Sequence, residues 1–97
     1  MALLGGDMYL GQRIRQDEKI KIGKNIRRIR KEKKIGQKEM AEKMQLRQIP
    51  ISRDTYIKLE RGDRNIGASE LKVIKEVLET TYEVLFEETE EQDESEY

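Results

Sequence analysis

Hydrophobic positions recur at three- and four-residue spacing along most of this chain, and no segment alternates over a strand's length, so the pattern predicts helices throughout. Ile22, Ile26 and Ile29 form an i, i+4, i+7 stripe within IGKNIRRIRKEKK, and Gly36 is either the stop of this helix or the start of the second. From Gln37 to about Gln45, Met40, Ala41 and Met44 share one side while Lys38, Glu42 and Lys43 take others, with Leu46 able to extend this second helix. Pro50 forces Ile49 out of the α region and Ser52 follows as a good N-cap. RQIP is therefore a turn, and a third helix runs to Arg61, where Gly62 supplies the left-handed end. Leu71, Ile74, Val77 and Leu78 mark a fourth helix starting near Gly67 to Ser69, and Thr80 or Thr81 caps a fifth containing Tyr82, Leu85 and Phe86. The expected fold is all-α, a compact bundle of about five short helices.

Two flanking segments fall outside this pattern. Residues 1–21 read as an N-terminal extension, either an arm or an extra helix, since MYLGQRIRQ faintly resembles IGKNIRRIR fourteen residues on. Residues 87–97, EETEEQDESEY, hold one aromatic residue and no aliphatic one, too little apolar surface to offset the entropy of ordering, so a disordered acidic tail is expected there. Residues 22–86 remain as the folded domain.

Composition narrows the chemistry. The 97 residues include neither cysteine nor histidine, which removes disulfides, thiol metal sites, the commonest metal ligand and the commonest general base. Carboxylate, lysine and hydroxyl groups alone are left for catalysis, and no phosphate-binding glycine loop, zinc spacing or nucleophile–base pair accompanies them. No enzyme, metal or cofactor is expected. No apolar run approaches the roughly 20 residues of a membrane span, so a cytoplasmic protein is expected. The formal net charge of zero conceals a division along the chain: all 20 basic residues lie between Arg13 and Lys75 against nine acids, a net of +11, whereas residues 76–97 carry ten acids and no base. A basic body of this kind suits a polyanionic partner, while solvated Lys/Glu faces on a helical protein are the plainer explanation.

The third helix sharpens the choice. At 100° per residue, Tyr56 and Leu59 point one way, while Asp54, Ile57, Lys58 and Arg61 cluster opposite with Arg53 at their edge. In a helix-turn-helix the second helix enters the major groove and presents its N-terminal residues to base edges. Arg53 or Lys58 has the donors for guanine O6 and N7, Asp54 can accept from cytosine N4, and Ile57 can touch a thymine methyl. Asp54 is equally suited to a helix's first turn by the dipole alone.

With these residues in view, residues 22–86 resemble a Cro/cI-type helix-turn-helix domain of the xenobiotic response element family. IRRIRKEKKIGQKEMAEKM, ISRDTYIKLERGDRN and ELKVIKEVLETTYEVLF carry the resemblance, through Gln37, Ala41, Ser52, Glu60 to Gly62 and Leu85-Phe86 in order. The resemblance implies a lambda-repressor-like fold and a transcriptional regulator, a repressor in the usual case, that binds double-stranded DNA as a homodimer. It places Ser52, Arg53, Asp54 and Lys58 at bases, where Ile57 joins them by its position on the helix face, and Arg61 and Arg64 at the DNA backbone together with Gln37, which also orients the reading helix; the lengthened turn can carry Arg47 to the backbone. Tyr56 matches a core position, and Glu60 matches an acid that pairs inside the domain with an arginine of the first helix, here Arg30. Gly36 replaces the usual Thr or Ser before Gln37, and QLRQIP replaces a shorter turn, which puts the pose of Arg53 in question. Nothing in the sequence identifies a dimer interface; Leu85 and Phe86 are the apolar candidates, with capping of the core as their simpler role. The alternative function is an antitoxin-like or regulatory protein-interaction module whose acidic tail engages a protein partner or folds back on the basic surface.

Overall fold

The computed structural model describes residues 13–15 and 20–88. Among them the order is β1 (Arg13–Ile14), α1 (Ile22–Glu32), α2 (Gln37–Leu46), α3 (Arg53–Arg61), β2 (Ile66–Gly67), α4 (Ala68–Leu78) and α5 (Tyr82–Leu85). The helical bundle expected from the pattern is present, and the stripes that predicted it form its core. Ile22, Ile26 and Ile29 of α1, Met40, Ala41 and Met44 of α2, and Leu71, Ile74 and Leu78 of α4 are all buried, each large aliphatic contributing about 1.5–3 kcal/mol relative to exposure. Val77 is only half-buried.

Helix starts follow the caps. Ser52 Oγ accepts from Thr55 N at 3.1 Å at the head of α3, and Thr81, not Thr80, caps α5 through Val84 N at 3.2 Å. Gly36 proves to be a start: it is the N-cap of α2, in an extended conformation with φ −78° and ψ 165°. At the head of α4, Glu70 Oε1 accepts from Gly67 N at 2.9 Å.

Helix ends are less visible in sequence. α1, α2, α3 and α4 each close with a residue in the left-handed region, at Lys34, Gln48, Gly62 and Glu79, and only one of these four is glycine. In each case the next amide reaches back five residues, as Ile35 N does to Arg30 O at 3.1 Å and Ile49 N to Met44 O at 3.1 Å, the double bond pattern that satisfies a helix's last carbonyls. The long turn between α2 and α3 is thus a regular helix stop at Gln48 followed by a tight turn about Pro50, closed by Ile51 N donating to Ile49 O at 2.8 Å. Gln45 Nε2 donates to Ile51 O across it at 2.8 Å, and Ile51 is buried. α2 does extend through Leu46, which is 81% exposed.

Three features depart from the expectation. Arg13–Ile14, within the segment expected as an arm or an extra helix, pair as a two-residue antiparallel strand with Ile66–Gly67, Ile14 opposite Ile66. Two residues are too few for an alternating pattern to show. Leu85 has no exposed surface and Phe86 is half-buried, so Leu85 caps the core and offers nothing to a dimer contact. Asn25, buried on α1, donates to Leu85 O at 2.8 Å and Glu87 O at 3.0 Å, tying the end of α5 to α1. The remainder of the N-terminal segment and residues 89–97 of the acidic tail lie outside the described residues.

Candidate nucleic-acid interface

α3 is set by its contact with α1, and that contact has no room for a side chain at Gly23. A Cβ there would lie 2.4 Å from Glu60 O and 2.5 Å from Leu59 O, so the two backbones touch. Beneath α3 a polar cluster fixes its rotation. Arg30 Nε donates to Glu60 Oε2 at 2.5 Å, Arg30 Nη2 to Glu60 Oε1 at 3.1 Å and Arg30 Nη1 to Ile35 O at 2.7 Å. The Tyr56 hydroxyl donates to Glu60 Oε2 at 2.5 Å and Gln37 Nε2 to Glu60 Oε1 at 3.1 Å. The Arg30–Glu60 pair is therefore present, with two further donors, and no buried side-chain polar atom among the described residues lacks a partner. Burial first, and the neighbouring Glu60 carboxylate second, push the Tyr56 hydroxyl well above its ordinary pKa.

With Tyr56, Leu59 and Glu60 turned inward, the opposite side of α3 is open. Arg53, Asp54, Lys58 and Arg61 are exposed and Ile57 is half-exposed, so these five share one outward face as their spacing predicts. Ser52 stands at its N-terminal end, exposed, its Oγ bonded to Thr55 N and Thr55 Oγ1. Arg61 Nε approaches Asp63 Oδ2 at 3.7 Å with both side chains more than half exposed, a pairing worth little in solvent. Asp54 occupies the first turn, where the helix dipole favours it. An open cleft of about 660 Å³ lined by Gln45, Gln48, Pro50, Ile51 and Ser52 lies beside the N-terminus of α3.

The residues expected at the DNA backbone divide. Arg47 is exposed on the turn entering α3, its Nη1 donating to Lys43 O at 3.3 Å. Gln37 is half-buried against Glu60. Arg64 makes a two-pronged ion pair with Glu70, at 3.2 and 3.1 Å, with side chains only 18% and 19% exposed; it braces the loop into α4 and is set apart from the α3 face. Sequence reasoning placed Tyr56 in the core and had Gln37 orient the reading helix, but missed their bonds to Glu60 and the roles of Gly23 and Asn25. Only Tyr56 carries a signal, its i, i+4 spacing to Glu60.

No group of three or more Asp or Glu among the described residues is arranged to hold a metal ion, and none of their helices is long and apolar enough to cross a membrane. Two helices joined by a turn, the second locked to the core and presenting a cation-rich outer face, define a helix-turn-helix domain. The family model of that description, HTH_3, matches residues 26–85, and the chain belongs to this Cro/cI-type, xenobiotic response element family. Its domain is that of DNA-binding transcription regulators, in general without enzymatic activity. No curated protein and no solved structure matches the chain.

Proposed function

We propose that this chain is a sequence-specific regulator of transcription, a repressor acting by occupancy of double-stranded DNA as a homodimer in the cytoplasm, with residues 22–86 as the binding domain. The observation that carries this reading is the division of α3 into a face locked on Glu60 and Leu59 and a face of Arg53, Asp54, Ile57, Lys58 and Arg61 that supports nothing in the core. An α-helix with its side chains is about 10–12 Å across, which suits a major groove about 12 Å wide, and the nine residues of α3 run about 13 Å along their axis. Arg53 and Lys58 supply donors to guanine, Asp54 an acceptor to cytosine and Ile57 apolar contact to thymine; Ser52 adds a hydroxyl at the groove end of the helix.

Backbone contacts come from α2 and the flanking arginines. Gly36 caps α2 without a side chain, which leaves its first amides to a phosphate oxygen. Gln37 carries two amide hydrogens and gives one to Glu60, so it can hold a phosphate while orienting α3. Arg47 and Arg61 extend the contact on either side, and Arg64 contributes only at the expense of its pairing with Glu70.

Selection from random duplex DNA by the purified chain, followed by salt titration of the enriched pool, tests this. An inverted repeat with half-sites about one helical turn apart is expected. Arg53→Ala or Lys58→Ala is expected to cost about 1–3 kcal/mol on the preferred site and relax its selectivity, whereas Arg61→Ala weakens all sequences alike and lowers the salt slope by about one. Salt-sensitive binding without enrichment would reduce the reading to backbone binding, and no binding at low salt would overturn it.

A further inference from the structure

The chain leaves the described fold against α1. Asn25 holds Leu85 O and Glu87 O, and Arg28 Nη2 meets Glu87 Oε1 at 3.4 Å, so Glu88 departs from the middle of α1. Lys21, Lys24, Arg27, Arg28 and Lys31 lie on the side of α1 turned away from its buried isoleucines, half-buried or exposed. Glu32 is the one acid of that helix, 3.9 Å from Arg28. The chain beyond Glu88, residues 89–97, carries five acids, Glu90, Glu91, Asp93, Glu94 and Glu96, and no base. Nine residues reach about 30 Å when extended, and the eleven residues of α1 span about 16 Å, so the segment can run along the helix to either end. α1 meets α3 through Gly23 and buries its isoleucines in the core.

We infer that the acidic segment 89–97 docks along the basic outer side of α1, as an intramolecular occupant of that surface. Departure point and opposite charge favour α1, and the segment is long enough to follow it. The docked segment screens a second cationic surface from nucleic acid and leaves α3 as the face that meets DNA, a consequence that rests on the DNA-binding reading above. Because the paired groups are exposed, the contact is expected to weaken as salt rises.

A single spin label decides the placement, since the full chain has no cysteine of its own. A nitroxide on Ser95→Cys is expected to broaden the amide signals of Lys21 to Lys31 at low ionic strength, with the effect lost at about 0.5 M salt. The control carries the same label with Glu90→Gln, Glu91→Gln, Asp93→Asn, Glu94→Gln and Glu96→Gln, and should show no such pattern. Broadening centred on Arg53 to Arg61, or none above the control, would overturn the proposal. On a random duplex at low salt, the unlabelled chain carrying these five substitutions is expected to bind about tenfold tighter with a steeper salt dependence; equal affinity would overturn the screening role. Failure of both forms to bind any duplex would sink the DNA reading and the screening consequence together, while the label still decides where the segment lies.

Discussion

Glu60 accepts from Arg30, Tyr56 and Gln37 while fully buried, so a single carboxylate joins α1, α2 and α3. Removing Arg30 or Glu60 alone strands a buried charge and is expected to cost about 3–5 kcal/mol. Tyr56→Phe is gentler: Glu60 keeps Arg30, and a loss of about 2 kcal/mol in urea unfolding is expected at neutral pH. Ionisation of the same hydroxyl gives a pH signature. Its folded pKa is raised, so the stabilisation is intact below the unfolded value near 10 and is lost as pH climbs above it, where the unfolded chain gives up its proton first. Unfolding midpoints measured from pH 8 to 11 should therefore fall more steeply for the native chain than for Tyr56→Phe. Gly23→Ala drives a methyl into the carbonyls of Leu59 and Glu60, and a loss of about 1–3 kcal/mol is expected from denaturant curves. The ion pair was legible in the sequence through family resemblance. Gly23 was not, because a close approach of two backbones separated by some 35 residues leaves no trace in local pattern.

Elements were legible where side chains mark them. Ser52 and Thr81 sit where a hydroxyl cap is wanted, and the apolar stripes of α1, α2 and α4 proved to be core except for the half-buried Val77. Ends were harder, because Lys34, Gln48 and Glu79 adopt the left-handed conformation that glycine signals at Gly62. Gln48, at φ 72°, shows that the added residues between α2 and α3 form an ordinary helix stop. Gln48→Gly should raise stability by about 1 kcal/mol in thermal or chemical unfolding. Loss of stability there would mean that its side chain matters more than its backbone. β1 was illegible for the opposite reason, since its two residues acquire a strand conformation only by pairing with Ile66–Gly67.

Across the whole molecule, the candidate interface was legible to the extent that one helix decides it. The outward set Arg53, Asp54, Ile57, Lys58 and Arg61 emerged as expected, whereas Gln37 and Arg64 were found holding Glu60 and Glu70, because no spacing rule shows which polar side chains a tertiary fold will claim for itself. Replacing Arg53 and Lys58 together by alanine should leave the unfolding free energy within about 0.5 kcal/mol of the native chain, even where preference among duplexes is abolished; a large loss of stability would show that the two faces of α3 are not independent. That independence bears on descent. Changes on the outer face of α3 are expected to pass without damage to folding, so that, under the proposed function, a lineage trades one target for another by single substitutions with each intermediate a sound protein. On that proposal, duplication and drift at a handful of surface positions are enough to produce sister regulators that ignore one another's sites.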